Sequence, residues 1–493
     1  MSNLGFDNDK YLKLQSEKIA DRVSKFGKLY LEFGGKLFDD NHASRVLPGF
    51  HPDSKIRMLL KLKEKVEIIL VINANHIEKN KTRSDLGITY FQDLMRLIDA
   101  FGVVELKVGG VVITHYQKQA EAQKLRRILE KSGIQVAYHY PIDNYPNDIP
   151  HILSKSGFGK NEYIKTNSEI IVVTAPGPGS GKMATCLSQM YHDNINGIKA
   201  GYAKFETFPI WNIGLNDPIN LAYEAATIDL NDVNMIDPFH LEAYNEVAVN
   251  YNRDVEAFPI LNSLLKEVIG QEIYKSPTDM GVNMIGYCIT DFDICGQAAK
   301  EEIVRRYFET AVSVRKDEAS DEMLYKLETL MKKAGVEKSD REVYVKATEL
   351  ANKTKEPAVA IKLSDGRIVT GKTSKLMGAS SAAILNALKT VADVPDIRIL
   401  SEYVLEPIQE LKTKYLNGNN PRLHTDEVLI ALAIGSRTSE YSNLCLKSLP
   451  LLAGAEAHSS VILSEIDVKT FKKLGMHLTM DPIYQSKKLY HNK

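Results

Sequence analysis

The segment Thr174-Ala-Pro-Gly-Pro-Gly-Ser-Gly-Lys-Met-Ala-Thr185 follows the β-branched run Ile170-Ile-Val-Val173. A buried strand over 169–174 is expected to feed a glycine-rich turn, and then a helix from Lys182 to about 192. Without a β-carbon, Gly177, Gly179 and Gly181, with Ser180 between them, can take positive φ and turn backbone N–H groups toward one anion. The helix opening at Lys182 adds the positive end of its dipole, and the Lys182 ammonium can bridge outer phosphates. The pattern predicts binding of a nucleotide or another phosphorylated small molecule. A further strand is expected over 200–205.

Two other readings of the loop compete with phosphate binding. One is a plain glycine turn at a strand-helix junction. The other is a dinucleotide fingerprint with Gly177 and Gly179 in the turn and Glu206 on a ribose hydroxyl. The third glycine of that fingerprint is missing at the expected spacing, and Lys182 favours phosphate transfer or hydrolysis over hydride chemistry.

A second glycine turn, Gly34-Gly35-Lys36, follows the run Leu29-Tyr-Leu-Glu-Phe33, with Asp39, Asp40, His42 and Arg45 close behind. Strand ends in α/β sheets line ligand crevices, so Lys36 and Arg45 are candidate anion ligands and His42 a candidate proton carrier. A turn with solvated charges is an equal reading. Asn73, Asn75 and the segment 81–85 could complete the rim. The acidic stretch Asp229 to His240 could hold a metal, although Asp237 before Pro238 has the form of a helix N-cap. Asp279 in the Ser276-Pro-Thr-Asp loop is a weaker candidate. His424 and His458 could meet at a site, but single histidines are more often structural.

These residues need a scaffold, and the apolar pattern supplies one. Strands are expected at 29–33, 67–72, 110–114, 134–138, 169–174 and 200–205, separated by helices at 56–65, 91–101 and 117–131. Such alternation argues for an α/β fold with a parallel sheet of P-loop or Rossmann-like type. The pattern turns helical over 238–273 and charged and helical over 297–355, then resumes α/β character after Pro357. The expected later elements are a helix over 379–392, another over 427–434, a strand over 459–463 and a helix over 468–474. Three domains follow: 1–295, a helical subdomain at 296–355, and a smaller α/β domain at 356–493.

With these residues in view, the segment 169–206 resembles the P-loop NTPases, in particular the branch that includes dethiobiotin synthetase. The resemblance implies ATP or GTP with Mg2+, and it implies that Lys204, at the end of the next strand, is a second phosphate contact. It departs at Pro176, where the pattern has glycine, and at Met183, where it has a Ser or Thr on magnesium, so that Thr185 or an acidic residue is the candidate metal ligand instead. The stretch Asp365-Gly-Arg to Gly371 with the helix at Ser380 faintly resembles the cytidine-deaminase fold, without that family's zinc ligands. Over its whole length the chain resembles a bacterial family of uncharacterised proteins, through LYLEFGGKLFDD, VTAPGPGSGK, GYAKFETFP and SPTDMGVNM.

Composition sets the outer limits. The 493 residues exceed what one ordinary core supports, and 62 Lys plus Arg balance 63 Asp plus Glu, so no global field favours nucleic acid or an anionic membrane. The charged first thirty residues have no signal-peptide core, and a cytoplasmic protein is expected. Cys186, Cys288, Cys295 and Cys445 are scattered and expected to be reduced, with no zinc and no haem. The leading expectation is an ATP- or GTP-dependent enzyme acting on a small molecule, with Lys36, His42 and Arg45 near its acceptor. The rival is a non-catalytic, metabolite-sensing or structural protein. Homo-oligomerisation through the helical subdomain is expected in either case.

Overall fold

The computed structural model describes residues 4–83 and 86–485. The chain divides into two compact units, Met1–Ala299 and Lys300–Lys493. Among the described residues no helix is long and apolar enough to cross a membrane.

The first unit is built on a seven-stranded, wholly parallel sheet. Its strands are β1 (Leu29–Phe33), β2 (Val66–Asn73), β3 (Lys107–Thr114), β4 (Val136–Tyr138), β5 (Ile170–Thr174), β6 (Gly201–Phe205) and the short β7 (Gly281–Val282). Their order is β7-β6-β1-β5-β2-β3-β4. Every residue of β1, β2, β5 and β6 is buried, as expected of a parallel sheet covered on both faces. Tyr30, Ile171, Val173 and Tyr202 turn toward the helices α5 (Lys182–Ile195) and α6 (Asn252–Ile269), whose Cys186, Leu187, Met190, Phe258 and Leu261 complete that core. Helix α1 (Asn8–Phe26) packs on the other face of β6. A Cβ at Gly201 would lie 2.2 Å from the Phe26 ring, so this strand position admits only glycine.

The path of the chain decides where a ligand can enter. From β1 the chain moves to β2, past β5; from β5 it moves the opposite way to β6, past β1. Neighbouring strands whose connections leave in opposite directions open a crevice at their carboxyl ends, where open α/β sheets bind ligands. Both glycine turns, Gly34–Gly35 after β1 and Gly177–Gly181 after β5, lie at this reversal.

The six strands expected in this unit all form, 29–33 with its expected bounds and the other five with edges shifted by one to three residues. The segment 238–273 is not continuously helical: a short helix, Pro238–Tyr244, connects the antiparallel strands Asn234–Ile236 and Val249–Tyr251, and α6 begins only at Asn252. Alternation over three residues is too short to distinguish such a strand from a helical turn.

The second unit holds a four-stranded mixed sheet of β8 (Ala358–Lys362), β9 (Ile368–Lys372), β10 (Glu456–Ser459) and β11 (His477–Met480), in the order β9-β8-β10-β11. Only β10 and β11 run parallel. Helix α7 (Glu342–Thr354) packs on β8 through Val343 and Ala347, and α8 (Ala379–Val391) covers β8 and β9. The strand expected at 459–463 is instead Glu456–Ser459. Ala457 pairs with Ile361, and Val461 and Ile462 are buried just past the strand end. Apolar content marked the region there, and cross-strand pairing set the register.

Candidate functional site

The glycine loop folds over the ends of β2 and β3. Asn73 Nδ2 donates to Gly179 O at 3.1 Å, and Thr114 Oγ1 donates to Ser180 O at 2.6 Å. Gly179 and Gly181 have φ of +72° and +88°, the left-handed conformation that glycine tolerates. Gly177 does not share it; a Cβ there would lie 2.3 Å from the Tyr90 hydroxyl, so close approach is its constraint. Gly181 caps α5 without a side-chain acceptor, which leaves the first-turn N–H groups of that helix facing the loop. The Ser180 hydroxyl is buried and has no hydrogen-bond partner among the described residues.

Lys182 is the first residue of α5 and makes no hydrogen bond or ion pair among the described residues. Burial lowers its pKa; Glu32 pulls the other way, while Lys204 and Arg253 add to the depression. A cation held this way, at a helix N-terminus beside a glycine loop, favours an incoming anion.

Beside it, the register of the sheet brings Glu32 opposite Val173 on one side and Lys204 on the other. Glu32 accepts a hydrogen bond from Tyr202 OH at 2.8 Å. Lys204 is held by Glu206 Oε1 at 2.9 Å and by Asp254 and the Tyr251 hydroxyl at the start of α6. Burial opposes the Lys204 charge, but Asp254 and Glu206 outweigh it, and its pKa rises well above the ordinary lysine value. Burial raises the Glu206 carboxyl to about 7, with Asp254 adding to the rise and Lys204 opposing it. The two carboxylates and one ammonium can therefore share a proton near neutral pH. Arg253 pairs with Asp232 at 2.6 Å. Tyr145, in the loop after β4, is pushed up to about 12 by burial and by the charge of Glu32.

On the far side of the loop stands His76, with its Nδ1 buried and without a hydrogen-bond partner among the described residues and its ring edge-on to Tyr90 at 5.3 Å. Burial, then Lys81 and His115, lower its pKa to about 4, so it is neutral at pH 7. His115 Nδ1 lies 3.3 Å from Asn73 Nδ2.

The sequence candidates occupy different places. Gly177, Gly179, Ser180, Gly181 and Lys182 form one loop. Lys204 reaches the same crevice with its ammonium already engaged by carboxylates. Thr185 is fully buried and its hydroxyl donates to Gly181 O at 3.0 Å, a bond internal to the helix. Lys36 is exposed beyond β1; His42 packs its ring against Phe208 at 5.1 Å, and Arg45 lies in the last turn of the helix Asn41–Val46. No interaction described here joins these three to Lys182. Beneath that turn, Lys55, fully buried, pairs with Asp40 at 2.8 Å and donates to Gly34 O at 3.3 Å. Ser84 and Asp85 lie outside the described residues.

The acidic stretch is consumed locally. Asp237 caps the helix at Pro238, accepting from the backbone N–H groups of Phe239 and His240, and also accepts from Thr278. Asp279 accepts from Tyr244 OH, and Arg22 lies 3.7 Å away. His424 and His458 do not meet. His424 pairs with Asp467 at 3.3 Å at the start of the helix Thr425–Gly435, and His458 is buried against Thr479, Phe308 and Tyr344. Among the described residues no group of three or more His, Cys, Asp or Glu is placed to hold a metal ion.

Glu32, Tyr145, Asp254 and Tyr251 were not singled out from sequence. A carboxylate inside the buried run LYLEF was a legible signal, since such residues are rarely buried without a partner or a task. Asp254 and Tyr251 carried none, being some fifty residues from the lysine they hold.

Residues 4–335 match the family described as "Domain of unknown function DUF1846, N-terminal", and residues 339–490 match its C-terminal counterpart. A UPF0371 protein of Streptococcus pyogenes serotype M5 is 55% identical over 493 residues, covering 99% of this chain and all of the relative. A UPF0371 protein of Streptococcus uberis is 53% identical over 492 residues, with the same coverage of both chains. With both halves matched in order and relatives aligned end to end, the chain belongs to the DUF1846 (UPF0371) family.

Proposed function

We propose that the first unit binds the phosphate of a phosphorylated small molecule in the loop Gly177 to Lys182. The observation that carries this reading is the half-buried Lys182 side chain, without an ion pair among the described residues, at the N-terminus of a fourteen-residue helix and at the chain reversal of a parallel sheet. The unsatisfied Ser180 hydroxyl supports it independently. An oxyanion would supply the missing counter-charge and acceptors together.

The surroundings favour binding over phosphoryl transfer. Met183 stands where a P-loop hydroxyl would meet magnesium, the Thr185 hydroxyl is spent inside the helix, and Lys204 is neutralised by Glu206 and Asp254. This donor set does not fit Mg2+. Proton transfer is the chemistry the crevice retains, through Glu206 and the groups that share its proton.

Calorimetric titration with tripolyphosphate, with and without Mg2+, tests the proposal. Wild type should bind without the metal, and Lys182→Ala should lose binding at least tenfold. Equal binding by the two proteins would end it. Release of inorganic phosphate from ATP or GTP at a rate abolished by Lys182→Ala would instead support the transfer enzyme.

A further inference from the structure

Where β3 and β4 end, next to the glycine loop, aromatic and guanidinium planes form a ladder. Arg126, in the helix Ala120–Lys131, lies 4.5 Å from the centroid of Tyr138, and Tyr116 stacks on Tyr138 at 3.6 Å with planes 3° apart. The lower rungs are fixed. Arg126 grips Glu162 through two bonds of 3.0 and 2.9 Å, and Glu162 also accepts from Tyr138 N at 3.0 Å. Tyr138 is buried, whereas Tyr116 is partly exposed. Tyr140 meets Tyr116 edge-on at 6.0 Å and carries the Lys160 ammonium over its own ring at 4.9 Å; among the described residues no cation, and no ring besides Tyr138 and Tyr140, packs on Tyr116.

This ladder is tied to the phosphate loop. Thr114, whose hydroxyl donates to Ser180 O, is two residues before Tyr116, at most about 7 Å of backbone. The intervening His115 takes φ of +54°, and Gln119 bridges His115 O and Asn75 at 3.0 Å each, so the turn carrying Tyr116 is braced against the ends of both strands. Tyr116 N donates to His139 O at 3.0 Å, which fixes its backbone from the other side. A rigid aromatic plane carried two residues beyond the threonine that holds the glycine loop suits a flat, polarisable group.

We propose that Tyr116 stacks the base of a nucleoside phosphate whose phosphate lies in the glycine loop, so that the ladder Arg126–Tyr138–Tyr116 selects nucleotides over bare phosphates and phosphosugars. The inference rests on the phosphate-site reading above. Stacking on one aromatic face corresponds to about tenfold in affinity.

The test titrates ATP and tripolyphosphate separately into wild type, Tyr116→Ala, Tyr116→Phe and Lys182→Ala, each checked for an unchanged circular dichroism spectrum. Tyr116→Ala should weaken ATP about tenfold and leave tripolyphosphate unchanged, Tyr116→Phe should retain ATP, and Lys182→Ala should lose both. If Tyr116→Ala binds ATP as wild type does, or loses both ligands together, the stacking role is overturned while the phosphate site stands. If Lys182→Ala still binds tripolyphosphate, or wild type binds neither ligand, the phosphate site itself falls and the stacking proposal with it.

Discussion

At the residue scale, the proposed phosphate site would couple binding to instability. A half-buried ammonium without a counter-ion costs folding free energy, and the same vacancy would draw an anion. Lys182→Met should therefore raise the melting temperature of the ligand-free protein by roughly 1–4 °C while removing the stabilisation that tripolyphosphate confers. Differential scanning fluorimetry reads both, and a fall in ligand-free stability would contradict the assignment. Because the pKa of Lys182 is lowered, its charge is lost at lower pH than an ordinary lysine's, so anion affinity should begin to fall at correspondingly lower pH.

Glu206 gives a second pH signature. Its folded pKa of about 7 lies above the ordinary glutamate value, so between about pH 4.5 and 7 the folded protein holds a proton that the unfolded chain has released. Its contribution is most favourable at the acid end and declines as pH rises through that window. Glu206→Gln should abolish this slope, so that the stability of wild type relative to the variant falls from pH 5 to pH 7.5 in urea titrations. A constant difference would show that Glu206 titrates normally.

At the scale of elements, the loop is shaped by what it rests on. The Thr114 hydroxyl on Ser180 O is the shortest of these contacts, and Thr114→Val should cost about 1 kcal/mol and weaken tripolyphosphate severalfold without touching the ligand. Gly181→Ala places a β-carbon in left-handed backbone and 3.2 Å from Thr114 Cγ2, so about 1–2 kcal/mol of stability should be lost in chemical denaturation. Local sequence announced these elements well. The largely apolar runs at 29–33, 66–73 and 170–174 are strands because such a run between polar turns has few other ways to be buried. The hairpin at 234–251, the short β7 and the true register of β10 escaped detection because each is defined by its partner rather than by its own pattern.

For the molecule as a whole, the second unit holds a buried charge network of its own. Glu456 lies between Arg305 at 3.5 Å and Arg341 at 2.7 Å, and Glu302 pairs with Arg305 and with Arg306. Breaking a buried pair from one side leaves an uncompensated charge. A fragment of residues 339–493, which lacks Arg305, should melt less cooperatively and at lower temperature than one of residues 300–493, as circular dichroism would show. Equal melting curves would mean that the network adds nothing to that unit.

The sequence by itself determined the α/β class, the strand-loop-helix at 169–195 and the glycine-lysine chemistry of the loop, because these depend on residues adjacent along the chain. The tertiary structure alone decided the company that Lys182 keeps. Strand order set β5 beside β1 and β1 beside β6, which brought Glu32 next to Lys204 and placed Asp254 and Tyr251 on the lysine that sequence had offered to phosphate. Charge pairing acts over a few ångströms of space and takes no account of distance along the chain, so the engagement of Lys204, and the lack of an ion pair on Lys182 among the described residues, emerged only once the sheet was assembled.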